Sequence, residues 1–254
     1  MKSIFAAAAL IAACQGAFAT GIYHETFNDG RAQFWDPRPA EAFSIETSGS
    51  GNSFYRGSAE ASLVQWQVSK LRLPPPKDFR YTVRVADNGV RPTYVIFRAT
   101  ANFAYDGVNY RGSGYAFGIF CGGHDREFYV YKMVDGELTT LQSWTDVSLK
   151  CSGDIDDADE LGVTMTGDDF VLAINGRPVF RYSDPDPIKR GRVGFYNVSD
   201  DLLDTRSDFD HVVIGRAPAH LDAQPAADEP GEEDTMGLPG CVRQGLLGQP
   251  NPDH

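Results

Sequence analysis

The stretch FVLAINGRPVFRYSD, residues 170–184, decides the fold class because two apolar runs flank an Asn-Gly pair. The pair at 175–176 tolerates the positive φ angles of a type I′ turn, so a β-hairpin is predicted here. In its register Ala173 pairs with Pro178 at a position where the ladder needs no proline N–H.

Both faces of this hairpin are apolar if its side chains alternate without interruption. One face then carries Phe170, Leu172, Ile174, Val179, Arg177 and Arg181, and the other carries Val171, Ala173, Phe180 and Tyr182. A hairpin that is apolar on both sides is more typical of a core wall than of a binding element. We therefore interpret it as structural.

Outward from the hairpin, short strand signals rich in Val, Ile, Phe, Tyr and Thr alternate with turn residues, and no helical period appears. Open sheets of about a dozen strands usually fold over into two layers. The sequence therefore predicts an all-β fold, a two-sheet antiparallel sandwich.

A series of short motifs appears in order along the chain. They are FNDG (27–30), YVIFRA (94–99), SGYAFGIF (113–120), FYVYKMVDGELTTL (128–141), LAINGRPVFRYSD (172–184), GRVGFY (191–196) and SDFDHVVI (207–214). In this order they resemble the concanavalin A-like (laminin G-like) jelly-roll superfamily, and within it the bacterial 3-keto-disaccharide hydrolase-like domains. The resemblance covers about residues 22–215. It implies a jelly-roll sandwich of two curved sheets, with ligands on the concave face or at its rim.

The chain divides into three parts. Residues 1–19 have the charged start, apolar run and Ala17-Phe18-Ala19 ending of a signal peptide. An alternative is a lipobox, Ile11-Ala12-Ala13-Cys14, in which Cys14 would be lipidated. Residues 20–216 form the jelly-roll domain. Residues 217–254 form an acidic Pro/Gly-rich tail, predicted to be disordered, which is either solvated or a docking segment.

Export places the cysteines in an oxidising compartment. Cys121 and Cys151 fall at the same end of a predicted three-stranded meander, so a disulfide between them is expected. Cys241 is then left without a partner inside the domain.

Arg98 is the charged residue that most suggests a ligand. It ends an apolar strand on which alternation gives it the same face as Tyr94 and Ile96. A guanidinium there could bind sugar hydroxyls or carboxylates bidentately. The alternative is a structural salt bridge to Asp208 or Asp210.

An aromatic row beside this arginine would suit sugar binding, whereas the same row on an inner face would be core. The candidates for the row are Tyr94, Tyr115 with Phe117, and Tyr129 with Tyr131, while Lys132 points to the opposite face; Trp144 and Trp35 are rim candidates. The predicted ligand site consists of Arg98, Tyr94, Tyr115, Tyr129, Tyr131 and Trp144.

Metal and catalytic signals are weak. Asn28 and Asp29 could meet Asp208 and Asp210 in a structural calcium site, because the ion prefers oxygen ligands. The acidic segment 154–160 lacks the glycine of an EF-hand, so it is either a solvated loop or a lectin-type calcium loop. Family 16 glycoside hydrolases share the resembling fold and carry a Glu-x-Asp-x-x-Glu strand, which this sequence lacks. No catalytic residue is predicted, and no other cofactor is expected.

A formal net charge of -12 argues against nucleic acid as a partner. The sequence therefore predicts a periplasmic or secreted, non-catalytic module that binds carbohydrate or a cell-envelope glycan. It would contact a membrane only if Cys14 were lipidated. The alternative, implied by the resemblance, is a hydrolase of 3-keto-glycosides in which Arg98 orients the substrate and Glu127 acts as an acid.

Overall fold

The computed structural model describes residues 21–59, 66–87, 89–106, 108–122, 126–145, 147–198 and 203–218. The predicted signal peptide with Cys14, the tail from residue 219 and Cys241 lie outside these ranges. The expectations about export, lipidation and the tail therefore stay predictions.

Within the described ranges, most residues belong to two antiparallel sheets. The eight-stranded sheet contains β1 (Gly21–Glu25), β3 (Phe43–Thr47), β4 (Ser53–Ala59), β6 (Phe79–Asp87), β13 (Asp159–Thr166), β14 (Asp169–Ile174), β15 (Arg177–Ser183) and β17 (Thr205–Arg216). The seven-stranded sheet contains β2 (Trp35–Arg38), β5 (Trp66–Leu71), β7 (Thr93–Ala99), β10 (Gly114–Phe120), β11 (Glu127–Val134), β12 (Glu137–Trp144) and β16 (Arg192–Val198). A small hairpin is formed by β8 (Ala104–Tyr105) and β9 (Tyr110–Arg111).

The strand orders are β15-β14-β13-β6-β17-β4-β3, with β1 beside β17, and β12-β11-β10-β7-β16-β5-β2. Single 3₁₀ turns occupy Ala40–Ala42 and Ile155–Asp157. No helix in the described part of the chain is long and apolar enough to cross a membrane. The predicted all-β, two-sheet sandwich is confirmed.

The main core lies between the inner faces of the two sheets and is rich in aromatic rings. Phe195 of the seven-stranded sheet stacks on Phe209 of the other sheet at 4.2 Å between ring centroids. Trp35 stacks on the same Phe195 at 4.4 Å and is buried. The prediction of Trp35 as a rim residue is therefore wrong, because its indole fills the core.

A buried hydrogen-bonded layer joins the sheets at one end. The Thr93 hydroxyl donates to Asp87 at 3.1 Å and lies 2.5 Å from the Ser207 hydroxyl, which itself donates to Asn197 at 2.9 Å. Asp87 also accepts the backbone N–H of Cys121 at 3.1 Å. Because both sheets contribute, this polar layer fixes one sheet against the other.

The Cys121–Cys151 disulfide is present beside this layer, with the two Cα atoms 5.4 Å apart, as predicted. The meander that brings the cysteines together is also present, and its β11–β12 turn places Asp135 and Gly136 at positive φ.

The hairpin of residues 170–184 has the predicted pairing of Ala173 with Pro178. Its faces differ from the prediction because a β-bulge inserts Val179 between that pair and the pairing of Leu172 with Phe180. The bulge turns Phe180 inward with Leu172, and Tyr182 packs 5.5 Å from Phe170. The prediction that Phe180 and Tyr182 lie opposite Phe170 is therefore wrong.

Candidate functional site

Arg98 lies at a bulge, at the end of β7. Its φ is 48° and an extra residue of β7 interrupts the pairing with β16, so Arg98 leaves the face that Tyr94 and Ile96 share. Its side chain is 2% exposed. The predicted common face of Arg98 with those two residues is therefore wrong.

The Arg98 guanidinium binds backbone rather than a carboxylate. It donates to the carbonyls of Gly167 at 2.6 Å, Ile188 at 2.9 Å and Lys77 at 3.4 Å. The alternative salt bridge is also wrong, because Asp208 instead accepts Arg56 Nε at 2.7 Å. Arg98 thus holds three loops together at one end of the sandwich.

Tyr115 lies on the inner face, with Phe117 as predicted, and both are fully buried. Its ring stacks on Phe97 at 5.1 Å, and its hydroxyl donates to Asp184 at 2.5 Å. Burial, and then the neighbouring carboxylate, raise the pKa of the Tyr115 phenol. The same Asp184 accepts Lys132 Nζ at 2.9 Å. Tyr115 is therefore part of a link between the sheets and does not reach an open ligand face.

The outer face of the seven-stranded sheet gathers the other tyrosines. We call Tyr94, Tyr129, Tyr131 and Tyr196 the tyrosine face. Tyr94 stacks on Tyr196 at 4.2 Å between centroids, and Tyr129 lies beside Tyr131 at 6.1 Å with an angle of 9° between the ring planes. The structure thus brings together three of the predicted residues and adds Tyr196.

A glycine makes room for this arrangement. Gly118 pairs with Tyr94 on one side and with Tyr129 on the other. A Cβ atom at Gly118 would lie 2.2 Å from Cδ1 of Tyr94, which is far inside van der Waals contact. The Tyr94 ring therefore occupies the space that a side chain at position 118 would fill.

The segment from Thr100 to Ser113, which includes the β8–β9 hairpin, packs on the same side of the sheet. Phe103 lies 6.4 Å from Tyr196, and Lys70 Nζ donates to the carbonyls of Ala101 at 2.7 Å and Phe103 at 3.2 Å. Burial, followed by the charges of neighbouring arginines, lowers the pKa of Lys70 to about 8. This segment covers the centre of the sheet and leaves the β11 side more accessible.

Tyr129 and Tyr131 are half-buried and form the accessible part of the tyrosine face. The Tyr129 hydroxyl donates to the Glu127 carboxylate. On the neighbouring strand β12, the exposed Ser143 and Thr140 are the register partners of Tyr129 and Tyr131. Two nearly parallel rings are thus bordered by hydroxyl groups and a carboxylate, which suits a ligand with one apolar face and many hydroxyls.

The inner tyrosines support this surface chemically. The Tyr94 hydroxyl accepts from that of Tyr196 and donates to that of Tyr131, and desolvation raises the pKa of all three phenols. These groups therefore stay uncharged hydrogen-bonding groups at neutral pH.

Trp144 is exposed at the end of the edge strand β12, with 59% of its surface accessible. Its register partner is Phe128, which belongs to the inner core. Trp144 therefore occupies a rim position as predicted, but its side chain lies on the opposite face of the sheet from Tyr129.

The residues predicted for calcium make other contacts. Asp29 is exposed and caps its own turn, Asp208 is paired with Arg56, and Asp210 accepts Asn52 Nδ2 at 3.0 Å. Among the described residues, no three His, Cys, Asp or Glu side chains are placed to hold a metal ion. The calcium site stays a prediction without support from these contacts.

The hydrolase alternative required Arg98 and Glu127 to act on one substrate. Glu127 pairs with Phe120 at one end of β10, whereas Arg98 lies beyond the Tyr115–Phe97 pair near the other end. Six residue positions along a strand span about 20 Å. The structure does not bring these two residues together.

No family model matches the sequence, and no curated protein matches it. Several solved structures are similar in fold. A Bacillus subtilis protein of unknown function with a galectin-like fold has a TM-score of 0.58 and 12% identity, covering 79% of this chain and 98% of that one. A GH16 protein of the mixed-linkage glucan PUL of Bacteroides ovatus, in complex with G4G4G3G product, has a TM-score of 0.56 and 8% identity, covering 76% and 99%. A legume lectin-like domain from Entamoeba histolytica has a TM-score of 0.50 and 12% identity, covering 73% and 91%. At these identities the likeness concerns the fold alone, and the chain has the concanavalin A-like jelly-roll fold.

Proposed function

We propose that the protein is an exported, non-catalytic carbohydrate-binding module that holds sugar rings on its tyrosine face. The observation that carries this proposal is the nearly parallel arrangement of Tyr129 and Tyr131, two half-buried rings whose centroids lie 6.1 Å apart and whose planes differ by 9°. The fold is also that of lectin-like domains and a glucan-bound GH16 protein, which makes such a role plausible without selecting it.

The chemistry of binding follows from the surroundings of these rings. The apolar face of a pyranose would stack on Tyr129 and Tyr131 and exclude water from both rings. Its hydroxyls would then reach the Glu127 carboxylate and the hydroxyls of Thr140 and Ser143 at the border. Because the border carries the Glu127 carboxylate, which would repel an anionic sugar, the expected ligand on this face is a neutral glycan.

Binding without cleavage is supported by the sequence, which lacks the Glu-x-Asp-x-x-Glu strand of family 16 glycoside hydrolases. Glycoside hydrolysis by the common routes needs two carboxyl groups about 5–9.5 Å apart across the bond. Glu127, the carboxylate beside the two rings, is engaged by the Tyr129 hydroxyl, and Arg98 lies near the other end of the sheet. Export is supported by the disulfide, a bond that persists mainly in oxidising compartments.

The test is a glycan array followed by titration calorimetry with the mature protein. We expect Tyr131→Ala and Tyr129→Ala each to weaken binding of a neutral oligosaccharide by about tenfold, since each removes one stacking surface. Trp144→Ala is the matched control, because it removes an accessible aromatic from the opposite side of β12. Failure of the wild-type protein to bind any poly- or oligosaccharide would refute the proposal.

The hydrolase alternative is separated by a turnover assay with 3-keto-glycosides and the corresponding neutral glycosides. The binding proposal expects no product with any of them. Turnover that Glu127→Gln abolishes would establish the alternative and displace the proposal.

The mature N-terminus shows whether the protein is released after cleavage or anchored to a membrane. Mass spectrometry of protein purified from cells would find Thr20 first if the signal peptide is cleaved after Ala19. An acylated Cys14 would instead show that the module is anchored to a membrane.

A further inference from the structure

A cavity of about 280 Å³ opens beside Arg98 at the end of the sandwich opposite the disulfide. It is lined by Pro74, Pro75, Pro76, Lys77, Phe79, Arg98, Lys189, Arg190 and Gly191. Because Phe79 belongs to one sheet and Arg98 to the other, the cavity lies where the two sheets separate. Its volume is close to the lower limit of small-molecule sites, which is about 300 Å³.

The arginine in this cavity carries a buried charge without a direct counter-ion. A guanidinium has five N–H donors, and Arg98 uses three of them on backbone carbonyls. Asp78, Asp168 and Asp184 act on it only over a longer range, and none of them forms an ion pair with it. Buried charges in proteins are normally paired, so this arginine has the capacity to receive an anion.

Two further cations line the same cavity and make no ion pair in the part of the chain that the structure describes. Lys77 and Arg190 are exposed there, and Asp168, which is paired with Lys189 at 2.8 Å, acts on Lys77 only over a longer range. Four cationic side chains thus surround one cavity in a protein whose formal net charge is -12. Local charge of one sign in a cleft concentrates ligands of the other sign.

We propose that this cavity binds a small anionic ligand, through a carboxylate or phosphate group that meets Arg98 together with Lys77 and Arg190. The proline wall and Phe79 would contact the apolar part of the ligand, and the volume admits about one sugar unit. The exposed Lys77 and Arg190 would make the main contacts to the anionic oxygens, and one of the two remaining N–H donors of Arg98 would add a further hydrogen bond. This site is separate from the tyrosine face and does not depend on the proposed function.

The probes are sodium glucuronate, inorganic phosphate and glucose, titrated into the full mature protein at low and high ionic strength. Glucuronate and glucose share a pyranose ring, so the difference between their affinities measures the contribution of the carboxylate. We expect an anion to bind and glucose not to bind, with an affinity that falls as salt is added. Preference for glucuronate identifies an acidic sugar as the ligand class, and preference for phosphate identifies a phosphorylated small molecule.

The variants connect binding to the cavity. Lys77→Ala and Arg190→Ala are expected to weaken anion binding by about fivefold each, and Arg98→Lys, which keeps the charge but loses the remaining guanidinium donors, by a similar factor. Arg177→Ala is the control, since Arg177 is an exposed arginine at the far end of the β13–β14–β15 hairpins.

Two results would overturn the proposal: glucose binding as tightly as glucuronate, or an anion affinity that Lys77→Ala and Arg190→Ala leave unchanged. Both residues are on the surface, so their removal tests the site even if Arg98→Lys fails to fold. Loss of anion binding with intact oligosaccharide binding on the tyrosine face would show that the two sites are independent.

Discussion

At position 118, the absence of a side chain decides where the Tyr94 ring lies. A Cβ atom there would come 2.2 Å from that ring, and Tyr94 is itself held by its stack on Tyr196. If the Tyr94 ring moved to another position, it would lose this stack and the hydroxyl contact to Tyr131. The geometry of the tyrosine face thus depends on one glycine.

Gly118→Ala is therefore expected to lower the free energy of unfolding by about 1–3 kcal/mol, the usual cost of overpacking a filled site. Urea denaturation measures this cost, and oligosaccharide titration should show weaker binding on the tyrosine face. Gly162→Ala is the control, because a Cβ at this other buried strand glycine would meet its nearest atom at an ordinary 3.5 Å. Equal stability of the two variants would contradict this account.

Lys70 provides a second prediction at the residue scale. Its pKa in the folded protein is lowered from 10.5 to about 8, so the unfolded chain binds more protons between these values. The contribution of this group to the free energy of unfolding therefore increases as pH rises through that window. From pH 8 to 9.5 the gain is about 1–2 kcal/mol.

Urea denaturation of the wild-type protein and of Lys70→Met at pH 8 and 9.5 checks this slope. The variant should lose it, because methionine does not titrate. Measurements stay below pH 10, since buried tyrosines such as Tyr81 have raised pKa values and oppose the trend above that pH. If the free energy of unfolding of Lys70→Met increases with pH as steeply as that of the wild type, another titrating group is responsible for the increase.

Among the elements, the bulged strands determine which residues face the core. In β15 the extra residue Val179 turns Phe180 and Tyr182 inward, where strict alternation would direct them outward. In β7 the bulge removes Arg98 from the face of Tyr94. One backbone residue thus changes the environment of every side chain beyond it.

Phe180→Ala is expected to lower the free energy of unfolding by about 2 kcal/mol, because the bulge turns this ring toward the core, where it lies 6.2 Å from Phe170. Strict alternation would instead direct the ring into solvent, where its removal would cost less than about 0.5 kcal/mol. Arg177→Ala removes an exposed side chain of the same strand and is the control. If urea unfolding does not distinguish Phe180→Ala from Arg177→Ala, the bulge has no such role.

These bulges mark where prediction from the sequence stops. The Asn-Gly turn and its first pairs were predictable, because a type I′ turn is a local property of two residues. The inserted residues were not, because each bulge is fixed by the partner strand. Two strands of the large sheets also lack a strong local signal: β2 contains Pro37 at an edge and β4 contains Gly57, and both residues have low strand propensity.

In the whole molecule, the disulfide and the polar layer act on the same end of the sandwich. Cys121 is bonded to Cys151 and also donates its N–H to Asp87 of that layer. The disulfide joins two residues that are 30 positions apart in sequence, so it restricts the conformations of the unfolded chain. On the loop-entropy account such a loop contributes about 3–4 kcal/mol.

The double variant Cys121→Ser, Cys151→Ser should therefore unfold at a lower urea midpoint, with a loss of about 3–4 kcal/mol. Added reductant should lower the wild-type midpoint to a similar value and should leave the double variant unchanged. A variant as stable as the oxidised wild type would show that the polar layer alone holds this end together.

Only part of the candidate site was predictable from the sequence, because some of its contacts join strands that are far apart in the chain. Tyr129 and Tyr131 share a face because they lie two residues apart on one strand, which the sequence shows directly. Tyr196 joins them only through the non-local pairing of β16 with β7, and Tyr115 is buried because of which face meets the other sheet. Neither relation can be predicted from a local sequence pattern.

The bulge at Arg98 also bears on how this chain compares with its structural neighbours. Since side chains alternate with a period of two, an ungapped alignment across an inserted strand residue sets inward-facing positions of one chain against outward-facing positions of another. Bulges in β1, β7, β12, β15 and β17 each introduce such a shift. An alignment of this chain with a sandwich that lacks these bulges therefore needs a one-residue gap at each of them to keep inward-facing residues matched.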